Sequence, residues 1–218
     1  MRFVNREDAG RRLGYNLALR PFDQPIVIGL PRGGVPVATQ VADRLQASLD
    51  LLVVRKLAYP LDPAVGMGVV AEGGMRIIDD DLVTRLDITP AQLAGVVADA
   101  EADLRRRTQH YRGARPPVPV EGRTVIVVDD GVATGLLATA AVEVLRRRAA
   151  GHVVVAVPVG PAQTVHELRD HADEVVCLHA PHAFASIRQW YHHFAPVGDD
   201  EVAALFAAHA STAPVDSA

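Results

Sequence analysis

Two adjacent carboxylates, Asp129 and Asp130, stand between an apolar run and a loop of small residues, in the order Val125-Ile126-Val127-Val128-Asp129-Asp130-Gly131-Val132-Ala133-Thr134-Gly135. The small residues leave the loop backbone bare enough for its N–H groups to touch a phosphate, and the Thr134 hydroxyl adds a donor. A carboxylate beside a bound anion would repel it, so Asp129 and Asp130 suit sugar hydroxyls, a metal ion or a developing cation. A phosphorylated sugar satisfies both halves. An ordinary strand-to-helix turn capped by one of the aspartates is the plainer alternative. A Walker A loop does not fit, because it needs Lys and then Ser or Thr after the last glycine, where Leu136 and Leu137 stand.

Leu30-Pro31-Arg32-Gly33-Gly34-Val35 repeats the pattern earlier in the chain, with a fixed cation and two glycines whose N–H groups would face an anion. A glycine-rich turn with Arg32 in solvent is the alternative. Arg55 and Lys56 follow Leu51-Leu52-Val53-Val54, at what reads as the carboxyl end of a strand, so they would add cations to the same crevice. The alternative is a surface pair after an edge strand. Among the nine histidines, His179, His182, His192 and His193 lack metal-ligand spacing and read as cap or surface residues. Arg105 to Arg107 and Arg146 to Arg148 read as solvated helix ends, where cations complement the dipole.

The elements that must position these groups follow from periodicity. Val125 to Val128 has no polar alternation, which suits a strand covered on both faces of a parallel sheet. Ile26 to Leu30, Leu51 to Val54, Val153 to Val157 and Val175 to Leu178 read the same way. Helical spacing appears over Val35 to Gln46, from Thr89 through a capping box to Arg107, over Gly135 to Arg148 and around Thr164 to His171. Strands alternating with helices predict a doubly wound, mainly parallel α/β sheet. Residues 58–74 are rich in Gly and Pro and predict a mobile stretch with a hairpin turning at Glu72-Gly73-Gly74. The segment 179–197, with Phe184, Trp190, Tyr191 and Phe194, breaks the alternation and is expected to pair with the N-terminal stretch as a small cap.

At 218 residues and 49% hydrophobic, the chain suffices for one sizeable core. A net charge of −4 offers no field for nucleic acid. Cys177 is the only cysteine, so an internal disulfide is excluded, and Val-Val-Cys-Leu reads as a buried strand thiol. The charged start and the lack of a long apolar run predict a cytoplasmic protein without a membrane span.

The acidic pair, its small Thr/Gly loop and the earlier Arg-Gly-Gly loop together resemble the type I phosphoribosyltransferases. The resemblance implies a single domain over 1–210, with a cap from 1–22 and 179–198 and a lid at about 58–78; residues 211–218 read as a disordered tail. It implies that Asp129 and Asp130 contact the ribose 2- and 3-hydroxyls and that Gly131, Val132, Ala133, Thr134 and Gly135 wrap the 5-phosphate of phosphoribosyl pyrophosphate. Arg32, Gly33 and Gly34 would hold pyrophosphate, with a cis peptide at Arg32–Gly33, and Lys56 with Arg55 would assist. Mg²⁺ would bridge substrate oxygens, touching Asp129 and Asp130 only indirectly. A base-like acceptor would sit under Phe184, Trp190 and Tyr191, which could equally be the packing of the cap itself. Tyr59, Asp62 and Glu72 fall in the lid.

The implied reaction moves the phosphoribosyl group to a nitrogen acceptor, a nucleobase first of all, and releases pyrophosphate. Hypoxanthine- and guanine-salvaging relatives often carry an acidic residue before the loop Thr, where this chain has Ala133. A regulator that binds phosphoribosyl pyrophosphate or a nucleotide without catalysis would show the same phosphate motif. A phosphatase or sugar-phosphate isomerase lacks an evident nucleophile or base here. Neither nucleic acid nor a membrane is an expected partner, and association into a homo-oligomer is left open.

Overall fold

In the computed structural model, which describes residues 2–210, the run before the carboxylates is a strand buried on both faces. Val125 and Val127 pack with Ala138, Ala141 and Leu145, while Ile126 and Val128 pack with Leu13, Leu17, Val37 and Val41. Successive side chains point to opposite faces, so a strand covered on both sides must be apolar throughout. Each such side chain contributes about 1.5–3 kcal/mol through burial. The expected tail at 211–218 lies outside the described residues.

In chain order the elements are α1 (Arg6–Leu17), β1 (Ile26–Gly29), α2 (Gly34–Leu45), β2 (Ser48–Leu51), β3 (Val54–Tyr59), β4 (Asp62–Ala71), β5 (Met75–Ile78) and α3 (Asp80–Arg85). They continue as α4 (Pro90–Arg112), β6 (Thr124–Val128), α5 (Leu136–Arg147), β7 (His152–Val159), α6 (Ala162–Glu167), β8 (Glu174–His179) and α7 (Asp199–Ala210). Five strands form one parallel sheet in the order β2-β1-β6-β7-β8. The doubly wound, mainly parallel α/β architecture is therefore present. From β1 the chain winds outward to β2, and from β6 it winds the other way to β7 and β8. The carboxyl ends of β1 and β6, with Gly29 opposite Val128, thus flank the crevice where the connections diverge.

A second, antiparallel sheet has the order β3-β4-β5. Its β4–β5 hairpin turns at Glu72-Gly73-Gly74. Gly68 is required by close approach: a Cβ there would lie 2.2 Å from the Ile77 carbonyl oxygen. The expected single strand Leu51 to Val54 is corrected, because β2 ends at Leu51 and β3 begins at Val54 in the other sheet. All four residues are buried, so the apolar run gives no sign that the chain leaves one sheet for another. Where it leaves, the Val53 N–H donates to Glu72 Oε1 at 2.9 Å.

Helix α4 opens with the expected capping box, Thr89 and Gln92 exchanging hydrogen bonds. It does not end at Arg105 to Arg107 but runs on to Arg112. The reason is lateral pairing: Arg107 binds Asp103 and Asp199, and Arg112 binds Asp50 inside the protein, so neither is a solvated end. Cys177 is half-buried in β8, and burial pushes its thiol up to about 11. No helix among the described residues is long and apolar enough to cross a membrane.

Candidate active site

Both loops singled out in the sequence emerge at the switch point and press together. The Leu30 N–H donates to the Val128 carbonyl at 2.9 Å. A Cβ on Gly33 would sit 2.0 Å from Asp130 Oδ2, and one on Gly34 would sit 2.6 Å from the Val128 carbonyl oxygen. The two glycines are thus there for close approach between loops. The Gly34 N–H turns back to the Leu30 carbonyl (3.0 Å) and so does not face a ligand as expected. The non-proline cis peptide is also one residue earlier than expected, at Pro31–Arg32. Gly33 already has helical dihedrals as the cap of α2.

The loop after β6 is held from behind. The Val132 N–H donates to the Val159 carbonyl (2.9 Å), and the Thr164 hydroxyl donates to the Ala133 carbonyl (3.0 Å). Val132 is buried, which makes it an anchor of the loop, whereas Ala133 and Thr134 stand exposed at the crest. Gly135 adopts a left-handed φ of 75° immediately before α5, and the Thr134 hydroxyl lies 3.5 Å from the Leu136 nitrogen. A crest of small residues leading into a helix N-terminus is a setting for an anion.

The two carboxylates have different surroundings. Asp129 is half-buried on the cleft wall and accepts the Asp130 N–H at 2.8 Å. Burial, then the charge of Asp130, pushes its carboxyl well above the usual range. Asp130 is buried and bonded to Arg6, with Arg6 Nε 2.7 Å from Oδ2. Burial raises its pKa too, with the Arg6 guanidinium opposing.

A cleft of about 900 Å³ joins these groups, with Arg32, Arg55, Lys56, Asp129 and Asp130 among its lining. Arg55 and Lys56 are in the cleft for a different reason from the one expected. They lie inside β3 of the antiparallel sheet, not at the end of a parallel strand, because the strand break falls at Leu52-Val53. Lys56 Nζ donates to the Pro63 carbonyl at 2.7 Å. Arg55 Nε stands 2.7 Å from Asp103, and Arg32 Nη1 stands 3.9 Å from Asp199. Tyr59 and Asp62 lie at the facing ends of β3 and β4, whereas Glu72 is buried at the base of the hairpin.

The aromatic residues expected over an acceptor do not line the cleft, and Ile187 takes that side. Phe3 bridges to Tyr191 across the N-terminal stretch, and the Tyr191 ring is buried 5.4 Å from Phe3 and 4.9 Å from Phe194. Its hydroxyl donates to the Asp130 carbonyl at 2.6 Å. Trp190 packs edge-on to His179 and stacks at 6.4 Å on Phe184. Core packing, the alternative weighed from sequence, describes Tyr191.

Sequence reasoning missed Arg6, Thr164, Glu167, His171 and Ile187, of which the last four line the cleft. Thr164 carried a partial signal, since a hydroxyl opening a short helix is a candidate bond to a nearby loop. Arg6 carried none, its partner being 124 residues away.

A doubly wound sheet with a small-residue loop and a cation-bearing loop at one switch point defines a class of α/β proteins whose ligand crevice lies there. The chain belongs to the phosphoribosyl transferase domain family, matched over residues 4–194. It is 44% identical over 203 residues to a Mycobacterium tuberculosis protein, Rv0571c, named provisionally as a phosphoribosyl transferase. That match covers 93% of this chain and 46% of the relative, so the chain spans about half the length of that protein. Its fold is similar to the crystal structure of TT1426 from Thermus thermophilus, with a TM-score of 0.81 and 40% identity, over 94% of this chain and 98% of that one.

Proposed function

We propose that this chain transfers the 5-phosphoribosyl group of phosphoribosyl pyrophosphate to a nitrogen nucleophile, a nucleobase being the acceptor class, and releases pyrophosphate. The observation that carries this reading is the convergence at one switch point of the 131–135 loop, the Arg32 loop and the half-buried carboxylate of Asp129. The 5-phosphate takes the crest at Ala133 and Thr134 and the helix N-terminus behind it. Pyrophosphate takes the side lined by Arg32, Arg55 and Lys56.

In the transfer, the bond from the anomeric carbon to the pyrophosphate oxygen breaks and its electron pair leaves with pyrophosphate. The acceptor nitrogen forms the new bond and sheds a proton. Positive charge develops on the sugar ring, and Asp129 is placed to stabilise it. Burial makes that carboxylate costly to ionise alone, so a cation arriving beside it gains more than it would in water. Arg32, Arg55 and Lys56 stabilise the leaving group in the complementary way.

Among the described residues no three His, Cys, Asp or Glu side chains converge as metal ligands. Mg²⁺ would be held mainly by substrate oxygens, with Asp129 and Asp130 touching it only indirectly. Such an ion would supply charge neutralisation for the leaving pyrophosphate.

The test is incubation with phosphoribosyl pyrophosphate, Mg²⁺ and a panel of purine and pyrimidine bases, with new nucleotides read by mass spectrometry beside a melting curve. A ligand selective for the folded state at a hundredfold excess over Kd adds about 2.7 kcal/mol of stability. A new nucleotide with a raised Tm is the expected result. A raised Tm without product would assign a binding regulator, and no shift at millimolar ligand would remove the phosphoribosyl pyrophosphate site.

A further inference from the structure

Two of the cations lining the cleft are paired with carboxylates that stand outside it. Arg55, in β3, has its Nε 2.7 Å from Asp103 Oδ2 on α4. Arg32, after β1, has its Nη1 3.9 Å from Oδ1 of Asp199, the first residue of α7. Neither carboxylate lines the cleft. Each is fixed from behind. Asp103 accepts from Arg106 Nη2 at 2.6 Å and from Arg107 Nε at 2.9 Å, while Asp199 accepts from Arg107 Nη1 at 3.1 Å and from the Tyr111 hydroxyl.

Helical spacing explains the arrangement. Asp103, Arg107 and Tyr111 follow one another at intervals of four and so share one face of α4. Leu104 and Tyr111 pack there with Val202 and Phe206 of α7, which brings Asp199 to the same place. The carboxylates therefore rest on a packed helix pair, whereas the arginines they meet are longer and more exposed, at 39% for Arg55 and 44% for Arg32. An arginine carries large rotamer entropy, and a ligand that must first order it binds more weakly. A carboxylate that already holds the side chain removes part of that cost. It does so here without cancelling the charge, because four guanidiniums, those of Arg32, Arg55, Arg106 and Arg107, surround the two carboxylates. Arg55 meets Asp103 through Nε, the guanidinium nitrogen nearest the backbone, which leaves the terminal nitrogens for a ligand.

We propose that Asp103 and Asp199 are positioning residues, through which α4 and α7 hold Arg55 and Arg32 in the arrangement that receives a diphosphate without touching it themselves. The identity of the ligand rests on the reading of the cleft as a phosphoribosyl pyrophosphate site, whereas the pairing of carboxylates with arginines does not. A carboxylate outside the cleft repels a diphosphate through space whether or not its arginine is present. A positioning carboxylate helps only while the arginine is there, so a double-mutant cycle separates the two effects.

The experiment measures Tm and the calorimetric affinities for inorganic pyrophosphate, with Mg²⁺ present, and for ribose 5-phosphate. The proteins are wild type, D103N, R55M and D103N/R55M, with D199N, R32M and D199N/R32M as the matching set. R55M should weaken pyrophosphate about tenfold, the scale of a charge-assisted contact. D103N should weaken it about threefold to fivefold, the upper range for a partly exposed ion pair, with ribose 5-phosphate unchanged. In the R55M background that loss should vanish or turn into a slight gain, since only repulsion is left to remove. The D103N effect with Arg55, divided by the effect without it, should thus be about fivefold. D199N should show the same dependence on Arg32 at about twofold, because that pair is longer. A ratio of one overturns the positioning role, and a ratio below one shows instead that the carboxylate competes with the ligand for its arginine. Equal weakening of ribose 5-phosphate, with a lowered Tm, would make the carboxylates merely structural and overturns it as well. A wild type that binds no pyrophosphate does the same. A wild type that binds pyrophosphate with the expected ratios, yet forms no nucleotide from phosphoribosyl pyrophosphate and the base panel, supports the positioning role and removes the transferase reading.

Discussion

The two sheets of this molecule share an apolar core, and where they meet a buried ionic cluster is added. In the parallel sheet, Val125 to Val128 are at most 1% exposed and pack against apolar neighbours on both faces. Where the antiparallel sheet meets it, Val54, Val69, Ala71 and Met75 join the same apolar core, beside a buried ionic cluster. Arg112, 5% exposed at the end of α4, donates to Asp50 Oδ1 and to the Leu51 carbonyl, each at 2.6 Å, and lies 3.5 Å from Glu72 Oε2. Asp50 also accepts the Val118 N–H, and Glu72 accepts that of Val53, so the cluster fastens four stretches of chain at once. Apolar packing is non-directional and tolerates small losses, whereas a buried charge cluster requires all of its members.

The largest effect should come from breaking the ionic side. Arg112→Met should cost about 3–5 kcal/mol in urea unfolding, because Asp50 would remain buried without its bonded cation and Glu72 would keep only Arg148 nearby. Ile126→Val, the matching lesion on the apolar side, should cost about 0.5–1.5 kcal/mol. Equal losses would erase the contrast.

Next in size is a loss of binding, not of stability. Arg32→Ala should weaken pyrophosphate by about tenfold, the scale of a charge-assisted contact, while ribose 5-phosphate is nearly spared. Calorimetry with each ligand separates the two. Equal weakening would show that Arg32 supports the whole switch point, including the 5-phosphate loop.

The ionic cluster should also give the protein a pH signature. Burial outweighs the Val53 hydrogen bond and the Arg112 charge, and raises the Glu72 pKa above its usual 4.5. The folded state therefore keeps a proton that the unfolded chain loses as pH rises past 4.5. Stability falls over that window, by at most about 1.4 kcal/mol per pH unit for one proton, and levels off above the raised value. Glu72→Gln should flatten this slope in denaturant titrations across the window. An unchanged slope would assign it to another group.

The smallest effect belongs to the outer ion pairs. Asp103, bonded to Arg106 and Arg107 and close to Arg55, is held below its usual 3.8 despite burial that opposes the shift. Its contribution is present above pH 3.8 and is lost as pH falls through the lowered value. Asp103→Asn should cost no more than about 1 kcal/mol at neutral pH, as partly exposed pairs do. A loss as large as that of Arg112→Met would place Asp103 inside the essential cluster.

Much of the fold was legible because its rules are local. A β-branched run without polar alternation, a Thr-Pro-x-Gln helix start and a Glu-Gly-Gly turn each declare themselves within a few residues, and β6, the start of α4 and the β4–β5 turn lie where those signals put them. The errors fell where local signals are degenerate. Leu51 to Val54 is equally apolar whether it continues one strand or crosses between two sheets, and Arg105 to Arg107 looks like a solvated helix end until Asp199 arrives from α7. Arg55 and Lys56 were placed in the cleft from a premise about strand ends that the sheet break corrects.

By itself, the order of residue types from Val125 to Gly135 determined a buried strand, an acidic pair and a small loop before a helix. Only the tertiary structure decided which carboxylate is held in an internal ion pair. That choice depends on Arg6 and Gly33, which lie 124 and 97 residues away in the chain from Asp130 (130 − 6 and 130 − 33) and reach it through packing that no local pattern encodes. Residue types state what chemistry a segment is capable of, but the ionisation and access of a group depend on the neighbours that folding brings to it.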